Sequence, residues 1–186
     1  NKCNFQRSVF TRAEFVNTEF INCKLNGVDF NASSFESCRF EGVLEDVWFR
    51  GTYGHESFFS EFGQPKQNKM LNVSFENAEL HYPAFSNWCD LSTVKIKNDG
   101  RHFKYDSWCN RLQFLSKEIE SWDDDDQRNQ AAKFVKVYSV HAPTQEWDIV
   151  NLHDLERSFG GREIAQKIIN ALNSFHPKSS SFDPAA

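Results

Sequence analysis

The stretch SVFTRAEFVNTEF, residues 8–20, sets Phe10, Phe15 and Phe20 five residues apart, with Ser8, Ala13 and Thr18 each two residues ahead of a ring. An α-helix repeats every 3.6 residues and a strand every two, so a five-residue step would scatter these rings around a helix or alternate them between the faces of a sheet. Neither element accounts for the spacing. The same phase runs outward through Phe5, Phe10, Phe15, Phe20, Leu25, Phe30, Phe35 and Phe40, and the position two before each centre is always small or β-branched: Cys3, Ser8, Ala13, Thr18, Cys23, Val28, Ser33 and Cys38. With Phe and Leu filling 29 of 186 positions, eight successive hits by chance is on the order of one in a million. A chain that turns a corner every five residues, buries two of the five and stacks successive coils at the strand spacing of about 4.8 Å meets this demand. Like side chains then lie over one another, so phenyl rings stack and small neighbours leave them room.

This motif, a large Phe or Leu centre with a small residue two places earlier, resembles the pentapeptide-repeat family. The resemblance is close over residues 3–49 and implies a right-handed four-sided β-helix with four pentapeptides per coil. The pattern slips at Leu44, recovers as Val47 with Phe49, and is lost through residues 50–70. It resumes with Phe75, Leu80 and Phe85, takes Trp88 as an inserted residue, and finishes with Leu91 and Ile96. The fourteen centres amount to about three and a half coils, placing a β-helix over residues 1–100 with an inserted loop at 50–70. Each buried Phe or Leu is worth about 1.5–3 kcal/mol before entropy losses, enough in sum to sustain a core.

The loop is rich in Gly, Gln, Lys and Asn yet carries Tyr53, Phe58, Phe59 and Phe62. These rings either fold back over the coil wall or meet a partner; aromatic side chains are favoured at interface centres, which makes these four the candidate partner-binding residues. After Ile96 the pattern becomes helical. Trp108, Leu112, Leu115, Ile119 and Trp122 fall on one stripe, and the four aspartates 123–126 complement the N-terminus of the next helix, which buries Ala131, Phe134, Val135 and Tyr138. A third helix is expected over 145–159 with Trp147, Val150 and Leu155 inward, and a fourth with Ala165, Ile168, Ile169 and Leu172. The α-helical segment 101–175 reads as a cap on the open end of the coil or as a separate binding or homo-oligomerising module. A polar tail, 176–186, is expected to be flexible.

The net charge of -5 is shared by both halves, so neither offers a basic footprint for direct nucleic-acid binding. No apolar run is long enough for a membrane span. The five cysteines form no zinc spacing and, apart from Cys109, sit at the small positions of the repeat, as expected of unpaired thiols in a reducing cytoplasm. Cys3 and Cys23 lie twenty residues apart, one coil in this reading, which leaves a disulfide conceivable. The six histidines show no paired ligand spacing, and no nucleophile elbow or phosphate loop is present, so no catalytic residue, metal or cofactor is expected. The reading is a non-enzymatic protein-interaction scaffold or targeting module, and the first residue, Asn1, fits the C-terminal region of a larger bacterial protein. The family resemblance implies an alternative. Some members look like B-form DNA, bind DNA gyrase or topoisomerase IV and protect bacteria from quinolones. Residues 1–100, with ten Lys/Arg against thirteen Asp/Glu, carry only -3 and no acidic ladder, which departs from that pattern.

Overall fold

A computed structural model describes residues 1–176; the expected flexible tail lies outside the described residues except for His176. The first half is built of short strands: β1 (Val9–Thr11), β2 (Glu14–Val16), β3 (Glu19–Ile21), β4 (Asp29–Asn31), β5 (Ser34–Glu36), β6 (Arg39–Glu45) and β7 (Trp48–Arg50). A short helix, α1 (Ser57–Phe62), precedes β8 (Ser74–His81), β9 (Ala84–Ser86), β10 (Lys95–Ile96) and β11 (His102–Tyr105). There follow α2 (Trp108–Glu118), α3 (Asp125–Tyr138), β12 (Asp148–Asn151), α4 (Leu152–Ser158) and α5 (Arg162–Ser174).

All pairings among β1–β10 are parallel. Two four-stranded sheets, β1-β4-β7-β9 and β3-β6-β8-β10, and the pair β2-β5 run alongside one another as a β-helical stack. The registers put the repeat centres over one another: Phe10 on Phe30, Phe30 on Phe49, Phe49 on Phe85, Phe15 on Phe35, Phe20 on Phe40 and Ile96 on Phe75. Six vertical pairs are stacked rings with centroids 4.7–5.3 Å apart, matching the strand spacing, while rings of neighbouring columns meet mostly edge to face. Corners fall two residues after a centre. There Arg7, Arg12, Asn17, Asn22, Ala32, Ser37, Asp46, Asn72, Tyr82 and Asn87 adopt left-handed backbone with φ between 48° and 58°. Each such corner in a non-glycine residue costs about 1 kcal/mol or more, which burial of the large side chain two positions earlier offsets.

Two centres fall outside the sequence pattern. Leu44, four residues after Phe40 rather than five, is buried and pairs with Leu80; the missing residue is taken up by a bulge where the β6–β8 register shifts between Arg39 and Glu41. Met70, fully buried, resumes the β2–β5 column beyond the loop, where Leu71 N–H donates to Phe35 O. All five cysteines are free, and the Cys3–Cys23 bridge does not form.

The helical segment has its own core, centred on Trp108, Leu115, Phe134, Leu155, Ile168 and Leu172. Three of the four expected helices form, and Asp124 caps α3 by accepting from Asp126 and Gln127 N–H. The expected helix over 145–159 is corrected. Its first part is strand β12, antiparallel to β11, and only 152–158 is helical, capped by Asn151. The physical reason is two-sided burial: in a strand Ile149 enters the core of the β-helical stack and Val150 the core of the helices, a division that consecutive helical residues would not make.

Candidate functional site

The loop leaves the stack at Gly51 and returns at Asn68, and its mouth is closed by Asn68 N–H donating to Gly51 O at 3.2 Å. A side chain at position 51 is impossible without movement, since a Cβ would lie 2.3 Å from Asn87 O. At the return, the buried Asn68 accepts from Phe35 and Met70 N–H through Oδ1, resetting the chain into the stack. Between these posts the four aromatic residues come together. Tyr53 packs on Phe58, Phe59 and Phe62 with centroids 5.0–6.4 Å apart, and α1 contributes no fully buried residue. Tyr53 is buried and its Oη has no hydrogen-bond partner among the described residues, Phe58 and Phe59 are half-buried, and Phe62 is exposed.

The wall holds the loop by polar contacts. Arg12 Nη1 donates to Phe62 O at 2.5 Å, Asn87 Nδ2 donates to Tyr53 O at 3.2 Å, and Lys66 Nζ lies 3.8 Å from both Glu14 and Glu36. A cleft at the foot of the loop is lined by Gly51, Thr52, Gln64, Pro65, Gln67 and Trp88. Trp88, the inserted residue of the repeat, is 56% exposed there. Its place beside the loop follows from the stacking of residues 84–86 on 48–50 and was hidden in the linear sequence.

The other polar constellation lies where the helices meet the last strands. Unpaired strand edges are covered by side chains that bond to backbone. His102 Nε2 accepts the Leu80 N–H at 3.2 Å, Asn151 Nδ2 donates to Leu80 O at 2.5 Å, and Gln145 accepts the Cys89 N–H at 3.1 Å while donating to Cys89 O at 2.6 Å. Lys104 Nζ donates to Leu91, Ser92 and Val94 O, and Asp154 accepts the Tyr82 N–H. The helical segment thereby satisfies edges that would otherwise recruit another chain.

Glu79, Asp99 and His102 have potential ligand atoms within 4.8 Å of one another. Lys97 pairs with Glu79 and lies 3.9 Å from Asp99. His102 donates from Nδ1 to Asp99 because its Nε2 is occupied by the Leu80 N–H. Partial desolvation of Asp99 opposes its charge, but hydrogen bonds from Arg101 and His102 outweigh this and lower its pKa. The group is thus an ion-pair network that anchors the edge, with its cation supplied by Lys97. Among the described residues no helix is long and apolar enough to cross a membrane.

Neither a curated protein nor a solved structure matches the chain. The family model for pentapeptide repeats does match, with eight copies over residues 1–43, the span that holds the eight centres from Phe5 to Phe40. The N-terminal part of this chain is therefore built of pentapeptide repeats, stacked as a parallel β-helix.

Proposed function

We propose that the chain is a non-enzymatic protein–protein interaction module whose partner surface is the aromatic loop 52–67 together with Trp88. Pentapeptide repeats are generally structural or interaction elements, and a stacked coil offers a preorganised surface that binds with little ordering cost. The observation that carries the reading is the placement of Phe62 and the 56%-exposed Trp88 at a loop fastened to that rigid wall. Exposed tryptophan and phenylalanine beside a polar rim are the usual makings of an interface centre. We further read the coil as four-sided. The reading is supported by the columns Phe10-Phe30-Phe49-Phe85 and Phe20-Phe40-Phe75-Ile96, by Phe15-Phe35 continued at Met70, and by the pairing of Asn4 with Lys24 and of Leu44 with Leu80.

Site-specific photocrosslinking tests the proposal. A benzophenone side chain at position 62 is expected to capture one polypeptide, competed by unmodified protein and lost when Phe58 and Trp88 are both changed to Ser. The same probe at Glu41, on a different wall, is expected to capture none. Equal capture from both positions, or capture indifferent to the serine changes, contradicts the assignment.

A further inference from the structure

A cleft of about 350 Å³ runs along the junction between the β-helical stack and the helices. Its walls are apolar: Trp48 and Pro83 on the stack side, Val140 and Phe159 on the helix side. Two carboxylates lie at its floor, Asp148 and Asp154, both more than nine-tenths buried. They differ in what they touch. Asp154 uses one oxygen on His81 Nδ1 at 3.1 Å and the other on the Tyr82 N–H at 2.6 Å, so it is fully engaged in holding the junction. Asp148 has a single hydrogen bond, from the adjacent Ile149 N–H at 2.8 Å, and no ion pair among the described residues.

Such a group is unstable in isolation. Ionised, it is a buried charge without a counterion; protonated, its hydroxyl has no acceptor. A cationic group entering the cleft resolves both conditions. The surrounding groups do not already supply one. Tyr138 on α3, Asp154 on α4, Tyr82 after β8, the buried Cys89 after β9 and Tyr105, its partner on β11, are acidic or neutral, and His81 is committed to Asp154. His141 is held toward its neutral form by burial and by the nearby Arg50, and Arg50 is itself paired with Asp29 at 3.0 Å while lying over Trp48. Aromatic walls around a single free carboxylate favour a cation carried on a hydrocarbon stem over a strongly hydrated ion. The volume falls within the range of small-ligand sites.

We propose that this cleft binds an alkylammonium group, with its nitrogen on the Asp148 carboxylate and its stem against Trp48, Pro83, Val140 and Phe159. The assignment goes beyond the loop surface and stands whether or not that surface binds a partner. It has a pH signature. Burial pushes the Asp148 carboxyl up to about 8, so below that pH the cation must displace a proton, and affinity rises about tenfold per pH unit until it levels above 8.

The test is an NMR titration of the full chain with n-hexylammonium, with n-hexanol as the neutral isostere. Expected are shifts at the amides of Val140, Ile149 and Phe159, the stated pH slope, weak binding of hexanol, and at least about a tenfold loss of hexylammonium affinity with a flat pH profile in Asp148→Asn. Comparable affinity for hexanol, a pH-independent wild-type affinity, or an Asp148→Asn variant that binds as well as wild type would each overturn the proposal. If that variant fails to fold, the wild-type slope and the hexanol comparison decide alone. Nα-acetyl-lysine methylamide in parallel distinguishes the source: binding comparable to hexylammonium assigns the cleft to a lysine side chain of a polypeptide, and binding of hexylammonium alone assigns it to a small amine.

Discussion

Phe10 and Phe30 are the same residue type in the same column, one step apart, yet they differ in a way that the stack alone creates. Phe30 is wholly buried, with Phe10 stacked on one face at 5.3 Å and Phe49 on the other at 5.2 Å, and it meets Phe15, Phe20 and Phe35 edge-on. Phe10 has a stacked neighbour on one face only and remains partly exposed. Replacing a buried Phe by Ala removes its transfer free energy and leaves a cavity, together about 3–5 kcal/mol, so Phe30→Ala is expected to cost about 4 kcal/mol. Phe10→Ala, which forfeits roughly half of that burial and leaves a hollow open to water, is expected to cost about 2 kcal/mol. With a urea slope of about 2 kcal/mol per molar, the denaturation midpoint falls by about 2 M for Phe30→Ala and by about 1 M for Phe10→Ala. Equal shifts for the two substitutions, or a larger one for Phe10→Ala, would refute the columnar packing.

Gln145→Ala removes all partners of the buried Cys89 N–H and C=O described above, and is expected to destabilise by about 2–4 kcal/mol and to speed hydrogen exchange at the Cys89 amide, read by NMR. Gly51→Ala forces a Cβ onto backbone atoms of Asn87, Trp88 and Cys89, and a melting curve is expected to show a large fall in Tm, the clash outweighing the gain of up to about 1 kcal/mol from a less flexible unfolded chain. Asp148 titrates at about 8 in the folded chain against an ordinary 3.8, so the folded state keeps a proton that the unfolded chain releases, and the contribution of this group to stability declines as pH rises between those values. Asp148→Asn is therefore expected to gain stability relative to wild type from pH 4 to pH 8 in denaturation curves; a constant difference across that range contradicts the assigned burial.

The stack was legible in the sequence because its period is local: Phe5 to Phe40 repeat without interruption, and every fifth ring must find the same environment. Leu44 escaped because the step into it is four residues, and the bulge that repairs the register lies on β8, thirty residues away. Met70 escaped because the loop broke the phase and its side chain is not of the repeat type. Strands β11 and β12 were unreadable for a different reason. Their pairing spans residues 102–105 and 148–151, and β12, buried on both faces, lacks the polar alternation that marks a half-exposed strand. The aromatic loop was visible as composition, but Trp88 joins it only through the stacking of β9 on β7. His102, Asn151 and Gln145 act on backbone atoms of distant strands, for which no side-chain pattern exists. Asp148 left one faint sign, an acid inside the apolar run WDIV.

The closure of the loop by Asn68 N–H on Gly51 O permits the most direct test of the interaction surface, replacement of residues 52–67 by a short Gly-Ser link. The measurement is the affinity of this variant for the polypeptide captured from position 62, alongside its melting temperature. The loop surface predicts at least about a hundredfold weaker binding, the equivalent of about 2.7 kcal/mol, with the melt of the stack retained. Unchanged affinity in a variant that melts like the wild type would contradict it.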